Sequence, residues 1–265
     1  PSMPEHYQQL LAELHAPDAS RRRSGEIIGQ DIGMAAKIMQ LIHTSFVGTP
    51  QSLADPVRAA SLFVLETLRA LALSTHVFSP FSEPSVTTLH LKLLFDHSLA
   101  VAITAREIAR AESRDAQLAD QAYLAGLLHD LGLLILAHSM PESCAAIVKT
   151  ASENRTGICQ AESQHLHESH ASIGAYLMAL WGLPDEVVQA IAFHHCPADA
   201  GSSGFTPLTA IHVANSFCAE EAMLADAIGG ATDVDLSYLQ SIGLSHRLEA
   251  WRAAHDSLHP EEVAR

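Results

Sequence analysis

The stretch Leu124–Leu136, LAGLLHDLGLLIL, is apolar except at His129 and Asp130, near its middle. Leu124, Leu127, Leu128 and Leu131 form one helical face. Gly126, His129 and Leu133 form another, with Asp130 beside it. A helix that is apolar nearly all round is one the fold encloses. An unpaired charge taken out of water is costly, so a buried His–Asp pair needs partners inside. The stretch therefore predicts a central core helix carrying two polar residues that other elements must satisfy.

Working outward, the rest of the chain reads as helices. Tyr7, Leu10, Leu11 and Leu14 fall on one stripe. Met34, Ile38, Leu41 and Ile42 form a second, and Val57, Ala60, Leu62 and Val64 begin a third. No segment alternates apolar and polar residues long enough for a strand, so the expected class is all-α. "STHVFSPFSEPS" (74–85) and "CPADAGSSGFTP" (196–207) are Pro/Gly/Ser-rich breaks. They divide the chain into an N-terminal helical subdomain (1–84), a helical core (85–200) and C-terminal helices packing on that core (201–265).

Three further helices bring polar residues to the core. In the first, Leu93, Leu94, His97, Ala100, Val101, Thr104 and Ile108 share a face, which places His97 inward. In "ESHASIGAYLMALWGLP", Ser169 is the expected N-cap and His170 lies in the first turn. The expected apolar stripe there is Ile173, Leu177, Leu180 and Trp181, with Gly182 closing the helix and Pro184 opening the next. In "PDEVVQAIAFHHCP", Val187, Val188 and Ile191 are apolar, and His194 and His195 follow within a turn.

Composition sets the frame. The 265 residues are 48% hydrophobic and 17% charged, which excludes a disordered chain. The net charge of −15 disfavours binding to phosphate backbones. The "RRRS" run at Arg21–Arg23 reads as a solvated helix face. Cys144, Cys159, Cys196 and Cys218 form no CxxC pair and read as reduced thiols, as expected in the cytoplasm. No apolar run of the roughly 18 residues needed to span a bilayer is evident, and the first residues lack a signal-peptide pattern. A start at Pro1 rather than Met suits a processed product or part of a longer protein.

The inward set is His97, His129, Asp130, His170, His194 and His195, drawn from four helices. One inward histidine is most often a core residue bonded to a carbonyl or water. Six such residues converging point instead to a divalent metal such as Fe, Mn, Zn or Ni, as one or two ions, with Asp130 able to bridge two. His138, His165, His167, His212, His246, His255 and His259 lack the pattern and read as surface or incidental.

"GLLHDLG" resembles the signature of the HD superfamily of metal-dependent phosphohydrolases. His97, His129–Asp130, His170 and His194–His195 follow the order of the ligands in HD-GYP phosphodiesterases. The fuller resemblance is to HDOD domains, HD-related output domains of bacterial signalling proteins. It rests on "LHAPDASRRRSGEIIGQDIGMAAKIMQLIHTS", "HASIGAYLMALWGLPDEVVQAIAFHH", "AIHVANSFC" and "DLSYLQSIGLSHRLEAWR". It implies an HD-like helical bundle. Two departures stand out. Asn215 occupies the position of the usual last Asp, and Leu133 stands where HD-GYP enzymes carry a lysine. The Gly-Tyr-Pro signature after the double histidine is also absent.

The resemblance implies a regulatory output module, the effector part of a two-component response regulator, with a metal-type site and absent or degenerate catalysis. Its expected partners are signalling proteins, a receiver domain or a kinase pathway, with a nucleotide as a further candidate ligand and no membrane. The alternative is a phosphohydrolase acting on a cyclic nucleotide or dinucleotide, with His129 and Asp130 in its active site. A second alternative, resting on the histidines and on Cys196 beside His195, is a metal or redox sensor.

Overall fold

The computed structural model describes residues 5–16, 18–30, 91–154, 156–180, 183–221 and 233–258. The stripes at Met34–Ile42 and Val57–Val64, the break at 74–85, and Trp181, Gly182 and His259 lie outside these residues. The chain divides into two compact units, Pro1–Glu83 and Pro84–Arg265. Among the described residues every regular element is helical, in keeping with the all-α expectation.

In the first unit, α1 (Glu5–His15) packs against α2 (Arg21–Gln30). Leu10, Leu14 and Ile28 are buried. Glu13 ties the two helices: it accepts the Ser20 backbone N–H at 3.0 Å and pairs with Arg23 at 3.1 Å. Arg21, Arg22 and Arg23 are exposed, as a solvated face should be.

The second unit is built around α3 (Leu91–Glu112), α4 (Ala116–Leu128) and α5 (Leu131–Ser139). It continues through α6 (Pro141–Asn154), α7 (Ile158–His165), α8 (His170–Leu180) and α9 (Asp185–Phe193). It ends with α10 (Pro207–Glu221), α11 (Leu236–Ser241) and α12 (Leu248–Asp256). Helix α4 packs on α3, α9 and α10, while α5 packs on α8. Asp115 caps α4 by accepting the Gln117 N–H at 2.9 Å.

The opening stretch is not one helix. It breaks at the His–Asp pair: α4 ends at Leu128, and Asp130 (φ −96°, ψ 9°) starts α5 without capping it. The carboxylate is thereby left free to face the interior. Taken together, Ala116–Ser139 is long and apolar enough on average to cross a membrane, although Asp120, His129 and Asp130 interrupt it. Yet 83% of its most apolar window is buried within the fold, as suits core helices.

Two glycines set the helix spacing. A Cβ on Gly126 would lie 2.7 Å from the Ala102 Cα, so α4 and α3 touch backbone to backbone. A Cβ on Gly132 would fall on the His170 carbonyl, 2.6 Å from its carbon, so α5 crosses the start of α8 as closely. That crossing rotates α8 away from the expected stripe. Its buried face is His170, Ala171, Gly174, Ala175 and Met178, whereas Leu180 is 65% exposed and Ile173 and Leu177 are half-buried. Gly174 of that face lies against α5, where a Cβ would come within 3.2 Å of the Gly132 nitrogen.

The C-terminal helices pack on the same core. Glu112, at the end of α3, accepts from Arg247 at 2.6 Å and from the buried Trp251 indole at 2.8 Å. His255 is fully buried and meets Thr104 of α3 at 3.0 Å, which corrects its reading as a surface residue. It lies four residues after Trp251, on the same inward face of α12.

Candidate metal centre

Asp130 sits among five imidazoles. Its Oδ2 lies 3.2 Å from His129 Nε2 and 3.9 Å from His97 Nε2, and its Oδ1 lies 3.3 Å from His170 Nε2 and 3.8 Å from His194 Nε2. His195 closes the ring, its Nε2 3.2 Å from that of His170. His97, His129, Asp130, His170 and His194 are buried, and His195 is half-buried. All six expected residues thus come together, from α3, the α4–α5 break, the start of α8 and the turn after α9. Asn215 of α10 joins them, its Oδ1 2.9 Å from His97 Nε2.

The rings are held from behind. His129 Nδ1 donates to the Gly126 carbonyl at 2.6 Å, and His194 Nδ1 donates to the Ile191 carbonyl at 2.8 Å. Both carbonyls belong to last turns, where the helix leaves acceptors without intrahelical partners. Each bond puts a ring proton on Nδ1 and turns Nε2 toward Asp130. His170 is anchored by Glu162, whose carboxylate oxygens lie 2.9 Å from its Nδ1, and the His170 backbone N–H donates to the same carboxylate at 3.1 Å. Ser169 caps α8 as expected, accepting the Ser172 N–H at 3.1 Å.

Glu162 is fully buried, and nothing in "ICQAESQH" marked it, because a glutamate on a short polar helix reads as surface. The Cys159 thiol, the Glu162 carboxylate and His170 place ligand atoms within 4.8 Å of one another. His212, expected to be surface or incidental, is buried. It donates from Nδ1 to the His194 carbonyl and accepts the Asp235 N–H on Nε2, both at 2.8 Å. Its place in the apolar run "LTAIHVAN" was the available signal. His138, His165, His167 and His246 are exposed, as expected.

These contacts fix the charges. Burial works to raise the Asp130 carboxyl, but His129 and His170 outweigh it and hold the group well below the usual carboxylate range. Burial and the neighbouring His129 push His97 down to about 4. Burial and His170 push His195 down to about 3, and burial with His195 and His129 holds His194 well below its ordinary value. His170 goes the other way: burial lowers it, but Cys159, Asp130 and Glu162 together raise it well above the normal range. Without a metal, these neighbours favour the protonated form of His170, whose Nε2 faces Asp130 and His195.

A divalent cation fits this donor set. The Nε2 atoms of His129 and His194 are buried without a hydrogen-bond partner, and both face a carboxylate. Lone pairs facing a carboxylate repel unless a proton or a cation lies between them. Atoms bound at about 2.1 Å to one ion lie roughly 3.0–3.4 Å apart, and the shorter spacings here, 3.2 and 3.3 Å, are of that order.

In the metal-free protein these shifts should make stability depend on pH. Below about 6.5 the unfolded chain protonates histidines that the folded state keeps neutral, so His97, His194 and His195 make stability fall as pH drops. The depressed Asp130 adds a further loss below its unfolded value of 3.8. His170, raised in the fold, contributes fully below 6.5, and that contribution is lost as pH rises through its folded value. Stability therefore peaks near the unfolded histidine value and falls by at least ~3 kcal/mol toward pH 4. Urea unfolding in chelator at pH 4.5, 6.5 and 9 checks this; a profile flat between 4.5 and 6.5 would show that the histidines are not held neutral.

The same fold and chain order occur in known proteins. The sequence is 25% identical over 195 residues to an uncharacterized protein of Treponema pallidum (strain Nichols), covering 74% of this chain. It spans 37% of that protein's length. An HDOD domain protein of unknown function from Geobacter sulfurreducens superposes with a TM-score of 0.66 at 21% identity, over 97% of this chain and 93% of that one. A "Putative phosphohydrolase" from Shewanella amazonensis SB2B gives 0.65 at 22%, over 97% and 93%. A "Putative signal transduction protein" from Marinobacter aquaeolei VT8 gives 0.61 at 21%, over 98% and 58%. At these identities the structures establish a shared fold. The sequence pattern of the HDOD domain matches residues 1–197, so the chain belongs to the HDOD family.

Proposed function

We propose that this chain is a regulatory output module of bacterial signal transduction whose His/Asp cluster holds a divalent metal and whose hydrolytic chemistry is absent or residual. The observation that carries it is an asymmetry in the cluster. The donors that would hold an ion, Asp130 with His170, His194 and His195, are assembled, and the His170 and His194 rings are braced from behind. The residues that would put it to use differ: Leu133 is buried and apolar, and Asn215 presents an amide to His97. Membership of the HDOD family and the name of the Marinobacter structure support the signalling role. The partner would be a receiver domain or another signalling protein, in the cytoplasm.

The second reading is a metal-dependent phosphohydrolase, favoured by the near-complete donor set and by the name of the Shewanella structure. A bound divalent ion would supply Lewis acidity toward a phosphoryl oxygen. The chain's own residues would orient it: Glu162 through His170, and the Gly126 and Ile191 carbonyls through His129 and His194. Protein loaded with Mn, Fe or Zn is assayed on bis(p-nitrophenyl) phosphate and on cyclic dinucleotides, beside His129→Ala. The expected result is metal retention with no turnover above background. Turnover that His129→Ala abolishes would overturn the signalling-only reading.

A further inference from the structure

The donors around Asp130 fall into two groups that share its carboxylate. One is Asp130 with His170, His194 and His195; the other is Asp130 with His97 and His129. The two are not equally prepared. In the first, His170 is backed by a buried carboxylate and His194 by a peptide carbonyl, both through Nδ1. Such partners fix the ring and raise its basicity toward a metal. In the second, His129 is backed in this way, but His97 is not. Its Nδ1 is buried with no hydrogen-bond partner, and its Nε2 is engaged by the Asn215 amide at 2.9 Å.

With Nε2–H donating to Oδ1, the nitrogen facing Asp130 has no lone pair to offer. Turning the amide over leaves it engaged all the same, accepting from Nδ2. Freeing Nε2 for a metal would move the ring proton to Nδ1, where it would be a buried donor without an acceptor, which is costly. Asn215 itself adds no negative charge to offset a second cation.

We infer that the chain holds a single tightly bound divalent cation, on Asp130, His170, His194 and His195, and that the His97–Asn215 pair closes the second subsite. This rests on the metal reading above and adds which subsite is loaded and what closes the other. Asn215 is thus a selector of stoichiometry.

The test is metal content by mass spectrometry after equilibrium dialysis of the full chain against Mn or Zn, for wild type, His97→Ala, His170→Ala and Asn215→Asp. Circular dichroism of each metal-free variant controls for folding. The expected result is one ion per chain in wild type and in His97→Ala. His170→Ala should weaken binding at least tenfold, and Asn215→Asp should gain a second ion. Two equally tight ions in wild type would overturn the inference and leave the metal reading standing. So would equal losses in His97→Ala and His170→Ala, or an Asn215→Asp protein that stays at one ion. No ion in any folded variant would overturn both.

Discussion

Asp130→Asn should cost at least about 100-fold in divalent-metal affinity, more than truncating a residue that only orients a ligand ring. The reason is its central position. One carboxylate lies between 3.2 and 3.9 Å from four imidazole nitrogens, and it belongs to both donor groups. The substitution keeps the shape and removes the charge. In the metal-free protein it also takes one anion from the protonated His170, which keeps Glu162. Stability should therefore fall, and less of it should be lost at alkaline pH, because His170 gains less from remaining protonated. Breaking a buried pair by removing one partner costs about 3–5 kcal/mol; with Glu162 still in place the lower end is expected. Isothermal titration with Zn or Mn, with urea unfolding in chelator, measures both effects. Wild-type metal affinity in a folded Asp130→Asn protein would remove the cluster as the metal centre.

Gly132→Ala should be the most damaging Gly→Ala change among the described glycines of the second unit. The added carbon would meet peptide backbone, the His170 carbonyl, instead of a side chain that can turn away. Helices α5 and α8 would have to separate, and they carry Asp130 at one helix start and His170 at the other. Overpacking costs typically about 1–3 kcal/mol, and a backbone clash belongs at or above the upper end. At about 2–4 °C per kcal/mol for a domain of this size, the melting temperature should drop by roughly 6–12 °C, with metal affinity falling alongside it. Gly157→Ala is the control. It has negative φ and nothing within 4 Å of the new carbon, so its effect should stay within about 0.5 kcal/mol. Equal melting temperatures for the two variants would contradict the close crossing.

The contrast between these two sites explains how much of the molecule could be read in its sequence. His97, His129, His170 and His194 were legible because each interrupts an apolar pattern on an inward face, and periodicity reports that directly. The break at His129–Asp130 was not legible. Leucines continue on both sides, and no Gly or Pro stands between Leu127 and Leu131 to mark the stop. The face of α8 was misjudged for a related reason. Ile173, Leu177 and Leu180 are the larger apolar residues, but the close approach at Gly132 selects the small ones. Glu162 was invisible because a carboxylate's burial depends on a partner eight residues away folding back onto it. His212 and His255 follow the same logic: each is buried because both ring nitrogens, or one, meet a group from a distant segment.

His212 has a consequence for where this protein can be cut. The family pattern ends at residue 197, yet the imidazole that steadies the His194 carbonyl and the amide that touches His97 both come from α10, beyond that limit. His212 is in turn held by the peptide N–H of Asp235, at the threshold of α11. A fragment trimmed to the recognisable domain would keep the imidazoles gathered around Asp130 and lose the wall behind them. The segment beyond residue 197 is the one that closes the cluster from the outside.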